Sequence, residues 1–138
     1  MRYRSVVHWV AVAWFGAIFA YAGLAKVLGD AGMREGMLAI GFGAGWTVAI
    51  GWIEVLGVAG LLAGVFKPPL KNLAVLCLLP FSIGAFTVHM SYHQGFADYR
   101  ESLCACVLAL VILATDARFK IDLGAPMVRV PAPRSTAR

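Results

Sequence analysis

Long stretches with few or no charges constrain this chain more than any other feature of its sequence. Residues 72–97 contain no Asp, Glu, Lys or Arg, and residues 6–28 carry a single charge, Lys26, near their end. The hydrocarbon core of a bilayer is about 30 Å thick, so a helix that crosses it needs roughly 20 apolar residues. The stretches predict membrane-spanning helices at about 6–28, 46–66, 70–90 and 99–115.

The composition excludes an ordinary water-soluble domain. Of the 138 residues 61% are hydrophobic and only 14% are charged, and the mean hydropathy is +0.80. A soluble domain has about 25% charged residues. We therefore predict an all-α fold, an integral membrane four-helix bundle. It occupies residues 1–120, is followed by a basic, proline-containing tail at 121–138, and leaves no room for a separate catalytic domain.

The distribution of basic residues predicts the orientation. Nine of the twelve Lys and Arg residues lie near span ends on one side, whereas Lys26, Arg34 and Arg100 lie on the other. Cytoplasmic loops carry the excess of Lys and Arg, so both termini are predicted to be cytoplasmic, with loops 29–45 and 91–98 outside. The protein is thus expected to be multi-pass in a cell membrane, a bacterial inner or plasma membrane. The net charge of +5 then reflects contact with anionic headgroups, and no nucleic acid is implied.

The N-terminus also fits a secretory signal, because Arg2 and Arg4 precede an apolar stretch and residues 20–22 (AYA) resemble a small-residue cleavage site. The apolar stretch is longer than a typical signal core. We therefore expect it to remain as the first span.

Glu54 is the main departure from the apolar character of the spans. It lies about eight residues inside its span, hence roughly 12 Å deep, which is too deep for the side chain to reach water. Thr47 and Gly57 share its helical face, so it is predicted to point into the bundle. A lone carboxylate there is costly, so Glu54 must be protonated or paired, and Lys26 is the predicted partner. A structural ion pair and a polar ligand site are both open interpretations.

His89 and His93 lie four residues apart near the outer end of the third span, so they share a face on a continuous helix. This spacing is typical of metal ligands, but the acid-bearing zinc-protease pattern is absent from the sequence and we predict no metal site. Hydrogen bonding at the rim is the ordinary role of such residues. Alternatively, His89 and Glu54 bind the polar head of a ligand, such as a quinone carbonyl.

Small residues and a proline predict how the helices pack. Gly16 with Ala20, and Gly60 with Gly64, have the spacing of small-xxx-small contacts between membrane helices. Pro80 lies in the middle of the third span and predicts a bend there.

Polar residues from separate helices gather in the outer half when depth is counted from the predicted span ends. One outward-facing pocket is the economical arrangement, although free cysteines are ordinarily apolar packing residues. The predicted ligand-binding residues are Lys26, Glu54, His89, His93, Glu101 and Cys104.

The sequence resembles the DoxX-like family of small four-helix membrane proteins, within the wider DoxX/MauE grouping. Three stretches between residues 10 and 115 carry the resemblance: residues 21–26 (YAGLAK), 50–57 (IGWIEVLG) and 87–89 (TVH). The resemblance implies the four-helix fold, and Lys26, Glu54 and His89 match its characteristic positions. The family takes its name from a subunit associated with quinone-linked oxidation. MauE-like relatives imply thiol chemistry, but a Cys-x-x-Cys motif is absent from this sequence.

These features together favour an accessory subunit, without catalytic activity of its own, of a larger respiratory or redox-linked membrane assembly. It is expected to bind lipid or quinone in the outward-facing pocket and to contact other membrane subunits. Two alternatives stay open. One is a quinone-linked membrane oxidoreductase component that uses Glu54, His89 and Lys26, and the other is a small transporter or proton-conducting element based on Glu54 and the bend at Pro80.

Overall fold

The computed structural model describes residues 2–116, and all regular structure in that range is α-helical. The connections between the helices are four residues long or shorter. The predicted all-α fold is confirmed, and the predicted tail at 121–138 lies outside the described residues. The helices are α1 (Arg2–Leu28), α2 (Ala31–Ala39), α3 (Ala44–Ala63), α4 (Pro68–Ser91) and α5 (Phe96–Thr115).

Three of the described helices are long and apolar enough to cross a membrane. They are Tyr3–Leu28 of α1, Ala44–Ala63 and Pro68–Ser91, with hydropathies of 1.7, 1.7 and 1.9. They correspond to the first three predicted spans. α5 differs because Asp98, Arg100 and Glu101 lie in its first two turns, so the fourth span stays a prediction.

The four long helices pack in a ring. α1 and α4 each contact both α3 and α5, whereas the short α2 contacts only α1 and α3 and has no buried residue. The centre of the ring is filled by apolar side chains, among which Phe15, Leu78, Val75 and Ile112 are fully buried. Between membrane helices such packing stabilises through van der Waals contact.

The outside of the ring is also apolar. Trp14, Leu56, Leu62 and Leu110 are each more than half exposed, at 59%, 66%, 66% and 61%. A water-facing helix would carry charged residues on this side, so an apolar exterior on α1, α3 and α5 suits contact with acyl chains.

Two glycines let α1 and α3 approach closely. A Cβ built on Gly51 would lie 2.7 Å from the Lys26 Cβ and 2.9 Å from the Gly23 carbonyl oxygen. A Cβ built on Gly23 would lie 3.0 Å from the Gly51 carbonyl oxygen. Neither position accepts a larger residue without moving the helices apart.

The predicted small-residue pairs account for a different contact. Gly60 packs against Ala74, and a Cβ on Gly64 would clash with Lys71, so both glycines lie where α3 meets α4. Gly16 makes an ordinary contact at 3.6 Å with Leu61 and sets no close approach.

The two adjacent prolines lie inside the first turn of α4. Pro68 and Pro69 occupy its N1 and N2 positions, where the N–H that proline lacks has no partner within the helix. The turn between α3 and α4 therefore ends at Lys67. α4 then continues through Pro80 to Ser91.

We predict that Gly51→Ala destabilises the protein, because the new methyl group meets Lys26 and the Gly23 backbone. Overpacking of this kind costs about 1–3 kcal/mol. The measurement is the thermal unfolding midpoint of the full chain in detergent, followed by tryptophan fluorescence.

Gly84→Ala in α4 is the matched control, because a Cβ on Gly84 meets no heavy atom within 4 Å. It removes a helix-interior glycine and should leave the midpoint unchanged or raise it. Equal midpoints for the two variants would contradict the proposed close approach of α1 and α3.

Candidate functional site

A buried ion pair joins α1 to α3. The Lys26 Nζ lies 2.7 Å from the Glu54 Oε2, and the two side chains are only 9% and 6% exposed. Lys26 also donates to the Ala22 carbonyl oxygen at 3.4 Å, one turn earlier in α1. Its side chain therefore runs back between the helices, away from the nearby end of α1 at Leu28. The predicted pairing of Lys26 with Glu54 is confirmed.

The packing of α3 explains why Glu54 is enclosed. The buried residues of α3 are Thr47, Gly51, Glu54 and Leu61. Glu54 therefore faces the inside of the ring, as the sequence predicted. The same close approach that Gly51 permits brings Glu54 against Lys26. The two opposite charges cancel at hydrogen-bonding distance, which is the condition under which charges are tolerated away from water.

The two histidines do not share a helical face, so that prediction was wrong. α4 ends at Ser91, and His93 lies beyond it with φ +51°, in the left-handed region. The chain turns there toward α5. His89 remains on α4, where its Nδ1–H donates to the Gln94 Oε1. Within residues 2–116 no group of three or more His, Cys, Asp or Glu side chains is arranged to hold a metal ion.

A groove of about 480 Å³ lies between α1 and α5. At one end it is polar, and toward the middle of α1 it is bordered by large apolar side chains. Of the six predicted ligand-binding residues, Glu101 and Cys104 line this groove, and the other four are not in its lining. The complete lining is Trp14, Ala17, Ile18, Tyr21, Arg100, Glu101 and Cys104.

The expected single pocket is therefore divided into three places. Lys26 and Glu54 occupy the α1–α3 contact, and Glu101 and Cys104 line the α1–α5 groove. His89 lies in the last turn of α4 and His93 in the turn that follows it. The sequence predicted similar membrane depths for these residues, counted from the predicted span ends. It did not specify around which side of each helix they lie.

A second buried polar cluster was missed by the sequence analysis. The Lys71 Nζ lies 2.8 Å from the Asp116 Oδ2 and 2.5 Å from the His8 Nε2, and the His8 Nδ1 lies 2.8 Å from the Thr115 Oγ1. His8 is 7% exposed and Lys71 4%. These residues join α1, α4 and the end of α5. Since each lies near a span end, its position along the chain gave no signal that distinguishes it from a residue at the membrane surface.

Comparison with known proteins identifies one family. The model of the DoxX-like family matches residues 10–115. No match was found among curated proteins or among solved structures. The matched range begins within α1, ends at the last residue of α5 and contains both Lys26 and Glu54.

We predict that Lys26→Met and Glu54→Leu each destabilise the chain, whereas the double variant recovers most of the loss. Each single change leaves an unpaired buried charge, which costs about 3–5 kcal/mol, while an apolar pair of similar volume is often neutral. The measurement is a double-mutant cycle: the thermal midpoints in detergent of the wild type, the two single variants and the double variant.

Lys67→Met is the control, because Lys67 is an exposed lysine in the turn before α4 and should change the midpoint little. If the losses of the two single variants simply add in the double variant, Lys26 and Glu54 do not stabilise one another.

Proposed function

The chain belongs to the DoxX-like family, and we propose that it is a multi-pass protein of the cell membrane in which all four long helices cross the bilayer as a four-helix bundle. Residues such as Val107 and Leu110 on the exposed side of α5 support this, since they extend the apolar exterior around the ring. With four crossings, the start of α1 and the end of α5 lie on the same side. The excess of basic residues near those ends favours the cytoplasmic side.

We further propose that the protein is an accessory subunit of a larger membrane assembly and binds an amphiphile, lipid or quinone, in the α1–α5 groove. The observation that carries this proposal is the change from polar to apolar side chains along the groove. Arg100 and Glu101 lie at the beginning of α5, and Tyr21 borders the groove in the last third of α1. Trp14 lies seven residues earlier, roughly 10 Å deeper along the helix. A polar head beside Arg100 and Glu101, with its chain beside Trp14, matches this gradient.

The outward end of the bundle is the one that presents this groove. Arg100 lies near the start of α5, at the same end of the ring as Lys26 near the close of α1. In the proposed orientation a ligand enters from the outer leaflet. Glu101 and Cys104 then contact the ligand, and Arg100, Tyr21 and Trp14 are added to the predicted site.

The other predicted residues take different parts in this proposal. Lys26 and Glu54 are positioning residues, because their pairing fixes α1, and α1 forms one wall of the groove. His89 lies in the last turn of α4 and His93 in the turn between α4 and α5, which leads into the polar end of the groove.

Two features favour a binding role over a conducting one. Lys26 and Glu54 satisfy one another in the α1–α3 contact, so their charges stabilise the fold. Phe15, Phe19 and Leu78 are buried in the core with at most 4% exposure. They lie between the Lys26–Glu54 pair and the polar cluster at the other end, where a proton pathway would need polar groups.

The accessory role is supported by the small amount of described chain outside the four long helices. The connections are four residues or shorter, so α2 is the only sizeable element outside the four long helices within residues 2–116. The exposed apolar faces contact lipid and the membrane subunits of the assembly. The link to respiratory or redox chemistry rests on the family resemblance.

We predict that Ala17→Trp weakens amphiphile binding by about tenfold or more, which corresponds to about 1.4 kcal/mol, because the indole ring fills the groove. The probes are a short-chain quinone and a brominated phospholipid, each titrated into the full chain in detergent. Quenching of the Trp14 signal, taken as wild type minus Trp14→Phe, reports binding.

Ala13→Trp is the matched control, since Ala13 is exposed on the same helix and is not part of the groove lining. Saturable quenching by the quinone alone or by the lipid alone identifies the ligand class. Quenching that is not saturable, or that both tryptophan variants leave unchanged, would contradict the groove as the site.

A further inference from the structure

The polar cluster of His8, Lys71, Thr115 and Asp116 has a fixed pattern of protons. An ammonium group has N–H donors and no acceptor, so the Lys71 Nζ, held by Asp116 at 2.8 Å, must donate to the His8 Nε2. The His8 Nδ1 must then carry the hydrogen and donate to the Thr115 Oγ1 at 2.8 Å. Thr115 passes its own hydrogen to the Val111 carbonyl oxygen at 2.6 Å. The cluster therefore requires a neutral imidazole.

The cluster lies at the opposite end of the molecule from the Lys26–Glu54 pair. His8 and Lys26 are eighteen residues apart on α1, which is about 27 Å along the helix axis. This separation approaches the thickness of the hydrocarbon core. His8 is thus close to the membrane face on which α1 begins. The exposed Arg4, one turn earlier, donates to the Ala114 carbonyl oxygen at 3.4 Å on that same end.

We propose that His8 is a proton-binding site, and that binding of a proton from that face releases α4 and α5 from α1 at this end of the bundle. The proton adds to the His8 Nε2, whose lone pair now accepts a hydrogen bond from Lys71. The imidazolium has no acceptor left, and it places a second positive charge beside the ammonium.

The charges around His8 make the protonated form unfavourable in place. Lys71 faces His8 from α4, and Asp116 faces it from the end of α5. Arg4 lies on α1, the same helix as His8. Gly64, the residue after α3, packs on Lys71 and is not titratable. Among the described groups, Lys71 and a protonated His8 carry two positive charges and Asp116 carries one negative charge. The described cluster would then hold a net buried positive charge, which separation of the helices relieves.

Separation of the helices at this end loosens the α1–α5 contact along which the groove lies, because the hydrogen bond between His8 and Thr115 joins these two helices. Proton binding itself does not depend on the occupant of the groove. It is therefore tested on the protein without any added ligand.

The test compares the full wild-type chain with His8→Gln in detergent at about pH 8 and about pH 5, the interval in which histidine takes up its proton. The Gln carbonyl oxygen accepts from Lys71 at every pH in this interval. Stability is lost as the pH falls, because the folded state requires neutral His8 and the unfolded chain binds the proton freely. We expect the wild-type thermal midpoint to fall by about 5 °C more than that of His8→Gln.

His93→Asn is the control, since it removes an exposed imidazole and should keep the wild-type drop. Equal drops in wild type and His8→Gln, or no drop in wild type, overturn the proposal. Nitrogen-15 NMR of the wild-type histidines is a second measurement that needs no variant to fold. It should find one buried imidazole with its hydrogen on Nδ1 at about pH 8, and an imidazolium or an Nε2–H form in its place also overturns the proposal.

Discussion

A carboxylate within an apolar helix is kept only with a counter-charge at hydrogen-bonding distance, and Lys26 supplies it to Glu54 at 2.7 Å. The pair lies where the backbones of α1 and α3 approach closely. Gly23 and Gly51 permit this approach, because a Cβ on either glycine would meet the backbone of the other helix. The geometry of α1 then determines the groove that it forms with α5, so the shape of this groove depends on a contact on the other side of the same helix.

Buried polar contacts join the helices at both ends of the bundle, and an apolar core lies between them. Lys26 and Glu54 join α1 to α3, while His8, Lys71 and Asp116 join α1 to α4 and the end of α5. α1 takes part in both. In a membrane, where apolar packing alone gives little specificity, such buried polar contacts determine which helices are neighbours.

The sequence predicted the features that depend only on the spacing of residues along the chain. Glu54 must be paired, and its helical face was readable from the spacing of Thr47 and Gly57, so its burial and its partner were predicted correctly. The position of His93 was not predicted correctly, because the end of α4 at Ser91 depends on the turn into α5. His8 and Lys71 lie near span ends, where a surface position is the usual expectation. Their partners on α5 become visible only when the helices are packed, and so does the groove.

The protonation state of the Glu54 carboxyl group in a bilayer shows whether an ion pair with Lys26 holds α1 to α3. The measurement is the infrared difference spectrum between wild type and Glu54→Gln, both reconstituted in lipid at neutral pH. We expect the substitution to remove an ionised carboxylate band, and the same band to be perturbed in Lys26→Met. Loss of a protonated carbonyl band, with Lys26→Met leaving that band unaltered, would show that Glu54 is neutral and that its pairing with Lys26 does not hold α1 to α3.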